Sequence, residues 1–122
     1  MGGPSPWYAQ REAGYDGLLE RLTRDGFSAR VTCTACPVQL EGNLPSGEAF
    51  YARCRHTQCS LDVGPPTASI DEVIDHPIWS IVIEPWPTES EKAGWLEAEE
   101  FEAVLRSLVK AYYERQGPAG EG

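Results

Sequence analysis

Between Phe27 and Val63 apolar residues recur at every second position, and on either side of that stretch they recur every third or fourth. A period of two sends alternate side chains to opposite faces of a strand, whereas a period near 3.6 gathers them on one stripe of a helix. A chain that changes from one period to the other and back has to build a sheet between helices. Phe27, Ala29, Val31 and Cys33 alternate with Ser28, Arg30, Thr32 and Thr34; after Pro37, Val38 and Leu40 alternate with Gln39 and Glu41. Asn43-Leu44-Pro45-Ser46-Gly47 is a turn by composition, Glu48 to Arg55 a third strand, and Cys59 to Val63 a fourth. Connections this short predict an antiparallel meander.

Helical spacing flanks it. Tyr15, Leu18, Leu19 and Leu22 fall on one helix face, with Gly26 placed to end the helix. Gly14 and Gly17 weaken the first turn, which predicts a start near Asp16 and leaves residues 1–12, rich in Gly and Pro, as a flexible segment. Beyond Gly64-Pro65-Pro66, Ser69 and Glu72 have capping-box form ahead of Ile70, Val73 and Ile74. Ile78 to Ile83 is short and β-branched, a fifth strand closed by Glu84-Pro85-Trp86-Pro87. Phe101, Val104, Leu105, Leu108, Val109 and Tyr112 mark the buried face of a last helix, acidic at its start and basic later. Gly117-Pro118 stops it, and 118–122 form a flexible tail. The expected class is α+β: one domain over residues 13–117, a meander of about five strands with N-terminal, short middle and C-terminal helices on one face.

The 122 residues carry 19 acidic and 10 basic side chains, net −9, and residues 65–122 hold twelve of the acids against four bases. Nucleic acid and anionic membrane call for a basic footprint, so neither is an expected partner. No apolar run approaches a membrane span, and the N-terminus lacks the form of a secretory leader, which predicts a cytoplasmic protein. The expected partner is a protein with a basic or apolar surface, and a homodimer is compatible with this composition.

The four cysteines form two close pairs, Cys33/Cys36 and Cys54/Cys59, with the spacing C-x2-C-x17-C-x4-C. This is near the zinc-ribbon pattern, in which four thiolates sit roughly 2.3 Å from one tetrahedral metal. His56, between the second pair, is a substitute ligand. Two other readings stand beside zinc: thiols packed as small buried hydrophobes, and a cross-strand Cys54–Cys59 disulfide, which geometry allows and a reducing compartment disfavours. A closed four-thiolate site would stabilise rather than catalyse.

Ala35-Cys36-Pro37-Val38-Gln39, then Glu41-Gly42, then Phe50-Tyr51-Ala52-Arg53-Cys54-Arg55 together resemble a group of small uncharacterised actinobacterial and actinophage proteins. That group carries a Cys-Pro-x-Gln motif, a Glu-Gly and a Tyr-x-Arg-x-Arg strand; the likeness covers residues 16–64 and, more loosely, the last helix. The resemblance implies no known activity and no catalytic residue. It also implies a fold that does not require metal, because counterparts of Cys54 and Cys59 are often other residues. It directs attention to Cys36, Pro37, Gln39, Glu41, Tyr51, Arg53 and Arg55. In one reading Gln39 or Glu41 pairs with Arg53 or Arg55 across neighbouring strands; in the other these side chains form a polar binding face on the open side of the sheet.

Trp86, set between two prolines, is the aromatic residue placed to reach a partner. His56 and His76 enter no Ser-His-Asp order, and no Gly-rich phosphate loop is present. The reading is a non-enzymatic acidic interaction protein of the inhibitor, immunity, adaptor or chaperone type. The alternatives are a zinc-ribbon-like module with a partner-binding hairpin, and an enzyme built on a cleft lined by Tyr51, Arg53 and Arg55.

Overall fold

The computed structural model of the protein describes residues 6–34, 37–86 and 96–116, with side chains from Ala9 to Arg115 within them. Helix α1 spans Pro6–Arg24, followed by strands β1 Ser28–Thr34, β2 Val38–Asn43, β3 Ala49–Arg55 and β4 Gln58–Gly64. Helix α2 spans Ile70–Asp75, strand β5 Trp79–Ile83 and helix α3 Ala98–Gln116. The strands pair antiparallel in the order β1-β2-β3-β4-β5, the meander that short connections require. The class is α+β.

Alternation sends Val38 and Leu40, Phe50 and Ala52, and Leu61 and Val63 to one face of the sheet, where they meet Leu18 and Leu22 of α1 and Phe101, Leu105 and Leu108 of α3. Each large apolar side chain buried there contributes about 1.5–3 kcal/mol. The periodic residues expected to form the buried face of α3 are all buried.

Helix α1 starts at Pro6, well before the expected Asp16, and takes in residues 6–12 that were expected to be flexible. Two glycines cost about 1 kcal/mol each, less than the burial of Tyr15, Leu18 and Leu22 returns. Upstream the decisive residue is Arg11, only 2 % exposed. Its guanidinium donates through Nε to the Thr34 carbonyl at 2.9 Å and through Nη2 to the Leu96 carbonyl at 2.8 Å. It also lies 5.6 Å from the centroid of the Tyr15 ring. Tyr15 donates to the same Leu96 carbonyl at 2.7 Å. Burial pushes the Tyr15 phenol well above its ordinary range, although the Arg11 charge pulls the other way. At its far end α1 closes with Phe27 N–H donating to the Leu22 carbonyl and Gly26 N–H to that of Thr23, the paired bonds of a Schellman motif.

The capping box forms as expected: Glu72 N–H donates to Ser69 Oγ at 3.2 Å and Ser69 N–H to the Glu72 carboxylate at 2.8 Å. Helix α2 nevertheless departs from the expectation that all three helices share one face. It closes one end of the opposite face, over Gly64, where an added Cβ would stand 2.9 Å from Val73 Cγ2. Gly64 falls in the outward register of β4, and its missing side chain leaves the room that a helix needs. Among the described residues no helix is long and apolar enough to cross a membrane.

Two features of this packing are open to direct test. Opposite Ala29, Gly42 has φ +154°, and a Cβ there would come within 1.9 Å of the Ser28 carbonyl oxygen. Gly42→Ala is therefore expected to lower stability by about 3 kcal/mol, read from urea unfolding midpoints; an unchanged midpoint would show that β1 and β2 do not meet so closely. Between the helices, Glu102 accepts from Arg21 at 2.8 Å and Arg106 at 2.9 Å, while Arg106 also pairs with Asp25 at 2.8 Å. Burial alone would raise the Glu102 carboxyl, but the hydrogen bonds from Arg21 and Arg106 outweigh it and hold the group below its ordinary 4.5. A depressed folded-state value stabilises the fold above pH 4.5, and the contribution is lost as pH falls through that depressed value. Glu102→Gln should flatten the acid limb of the stability curve in that window, and an unaltered limb would refute the assignment.

Candidate functional site

The open face of the sheet is made from the other half of the same alternation. β1 supplies Arg30 and Thr32, β2 Gln39 and Glu41, β3 Tyr51, Arg53 and Arg55, β4 Gln58, Ser60 and Asp62, and β5 Ser80 and Val82. From α2 to the β3–β4 hairpin no described element covers it. The structure thus brings Gln39, Glu41, Tyr51, Arg53 and Arg55 onto one surface.

These side chains order one another. Glu41, 8 % exposed, lies opposite Arg30 and accepts from its Nε at 2.8 Å and from its Nη2. Gln39 donates through Nε2 to the Tyr51 hydroxyl at 2.9 Å, and the Thr32 hydroxyl donates to Gln39 Oε1 at 3.3 Å. Ser80 donates to Asp62 at 2.7 Å. Burial raises the Tyr51 phenol above its ordinary value; Arg53 opposes this, while Asp62 and Glu41 add to it.

The expected pairing of Gln39 or Glu41 with Arg53 or Arg55 does not occur. Arg30 stands directly across from Glu41, whereas Arg53 is its diagonal neighbour on the other side, at the longer reach of about 7–8 Å. Arg30 is the residue that sequence reasoning missed. The signal was present in its place, on the polar half of the β1 alternation. Gln39 does lie directly across from Arg53 but bonds Thr32 and Tyr51 instead, and Arg53 has a buried Nε with no hydrogen-bond partner among the described residues. Arg55 is exposed and joins no ion pair among the described residues.

At the hairpin end, Arg53, Arg55, His56, Gln58, Ser60 and Val82 line a hollow of about 260 Å³. β3 and β4 pair out to Arg55 and Gln58, so the loop is His56-Thr57 alone and the fourth strand starts one residue before the expected Cys59. A two-residue hairpin favours positive φ, and His56 adopts +58°.

On the core side of this hairpin Cys54 and Cys59 are register partners, both buried, with Cα atoms 4.1 Å apart, and are joined by a disulfide. Cys33 is half-buried on β1, with β2 between it and Cys54, and Cys36 lies outside the described residues. Among the described residues no group of three or more His, Cys, Asp or Glu is placed to hold a metal. Trp86 is half-buried and packs against the core cluster.

No family model, curated protein or solved structure matches the chain.

The bridge has a direct check. Peptide mapping without reductant should recover the segments containing Cys54 and Cys59 as one linked species. The opposite outcome is a zinc adduct in native mass spectrometry, released by acid, with both residues as thiols.

Proposed function

We propose that the protein is a non-enzymatic interaction module that docks a protein partner on the open face of its sheet. The observation that carries this reading is how that face is furnished. Its polar side chains are held by one another, Arg30 with Glu41 and Thr32 with Gln39 and Tyr51. Beside them Ile78 and Val82 project from the β5 side at 59 % and 57 % exposure, with Ile74 of α2 at 44 %.

A single exposed apolar residue needs no explanation, but three β-branched side chains bordering one ordered polar surface have the make-up of a contact patch. Side chains already ordered lose little entropy when a partner arrives, which lowers the cost of binding. Tyr51 supplies an aromatic anchor at the centre. The net charge of −9 favours a partner that is basic or apolar around the contact and disfavours nucleic acid. Inhibitor, immunity and adaptor roles each require a surface of this kind and no catalytic group.

A photo-crosslinking amino acid placed at Val82 should capture one protein of defined mass from host lysate, and Tyr51→Ala should abolish the adduct. The same residue at Ser107, exposed on α3, is the control. An adduct of equal mass from Ser107, or none from Val82, overturns the reading.

A further inference from the structure

We infer that the hollow at the hairpin end of the open face is a carboxylate site, filled by a carboxylate that the partner carries beside an apolar side chain. The inference rests on the docking reading above and names the group that the partner presents.

The composition of the hollow runs against that of the chain. Among the described residues two guanidiniums, an imidazole, an amide and a hydroxyl line it, and the one acid near them, Glu84, reaches only Gln58 at the rim, although acidic residues outnumber basic ones 19 to 10 overall. Four other arginines are matched to carboxylates: Arg11 with Glu97, Arg21 with Glu102, Arg30 with Glu41 and Arg106 with Asp25. Arg53 and Arg55 are the arginines of the sheet left without one among the described residues. Native structures seldom leave a buried donor unmatched, yet Arg53 Nε is such a donor.

The chemistry points to a carboxylate in particular. The Nε and Nη edge of a guanidinium presents two parallel N–H bonds, which match the two oxygens of a planar carboxylate. Arg53 is partly exposed and its side chain lines the hollow. Ser60 lies directly across from Arg53, and Gln58 directly across from Arg55, which adds a hydroxyl and an amide to the donors. Gln58 Nε2 already donates to the Glu84 carboxylate at 3.2 Å, so the rim holds a group of this kind.

Val82, opposite Ser60 on β5, forms an apolar wall, which suits a carboxylate attached to an apolar residue. The volume of about 260 Å³ accepts a carboxylate and its first carbons but not a large ligand. The field of a chain at −9 repels multiply charged anions, so a singly charged group is the anion least penalised.

The test uses the whole chain, with the arginine Nε–H signals followed in ¹H–¹⁵N spectra. The probe is acetyl-Ala-Ala-Val-Val with a free C-terminal carboxylate, compared with its C-terminal amide, with an amidated version carrying one Glu, and with inorganic phosphate. A saturable shift of the Arg53 Nε–H signal is expected with the free-carboxylate or the Glu-bearing peptide. The tighter of the two identifies the source as a chain terminus or an acidic side chain. Arg53→Gln and Arg55→Gln should each weaken binding about tenfold.

Equal binding of the plain amide, no shift with either carboxylate peptide, or saturation by phosphate at a lower concentration overturns the inference. The amide comparison leaves the protein unaltered, so it holds even if a variant fails to fold. Peptide binding without crosslinking at Val82 would defeat the docking reading alone; crosslinking without peptide binding would defeat only this inference.

Discussion

A buried guanidinium holds this fold in register. Taking a charge out of water is costly unless its donors are matched, and Arg11 meets that condition with acceptors from distant parts of the chain. It reaches the Thr34 carbonyl at the end of β1 and the Leu96 carbonyl ahead of α3, with Glu97 at 3.6 Å and the Tyr15 ring beneath it. One side chain of α1 therefore ties the first helix, the first strand and the entry to the last helix. Apolar burial is non-directional and would permit many relative placements of these elements. Hydrogen bonds from a planar, charged group permit few. The Glu102 cluster with Arg21, Arg106 and Asp25 repeats the device farther along α1 and α3, in a wetter setting where each pair contributes less.

Once α1 and α3 are held on one side, the sheet has two unlike faces. The apolar half of each strand is consumed by the core, and the polar half is left to interact with itself. That self-interaction is settled by competition among neighbours: Arg30 takes Glu41, which lies directly opposite it, Gln39 bonds the diagonal Tyr51 although it faces Arg53, and Arg53 is left over. The two ends of the open face differ in kind. At one end α2 rests on Gly64, where a missing side chain admits a helix. At the other a two-residue hairpin, stapled beneath by the Cys54–Cys59 bridge, carries the arginine-lined hollow. A bridge closing so short a loop contributes about 2 kcal/mol in chain-entropy terms, and it acts where the hairpin leaves the core.

Much of this was legible from residue order, and the reason differs from element to element. The meander, the capping box at Ser69 and Glu72, and the buried face of α3 all rest on contacts between residues close in the chain, which periodicity encodes directly. The start of α1 was not legible, because local propensity counts the cost of Gly14 and Gly17 but cannot see carbonyls at Thr34 and Leu96 waiting for Arg11. The two-residue loop and the bridge were half-legible. A spacing of four residues sets two thiols on one face of a hairpin, and that arrangement serves a disulfide as well as a metal.

By itself, then, the sequence determined the class, the strand order and the set of side chains that share the open face, since alternation along a strand needs no knowledge of distant partners. It also determined that Gln39, Glu41, Tyr51, Arg53 and Arg55 would stand together. Only the tertiary structure decided which of them are satisfied. Pairing on a sheet depends on register between strands, on the β-bulge that shifts β1 against β2 between Val31 and Cys33, and on where α2 comes to rest. Each is set by long-range packing, and it is this packing that leaves Arg53 and Arg55 without a carboxylate among the described residues and creates the hollow beside Val82.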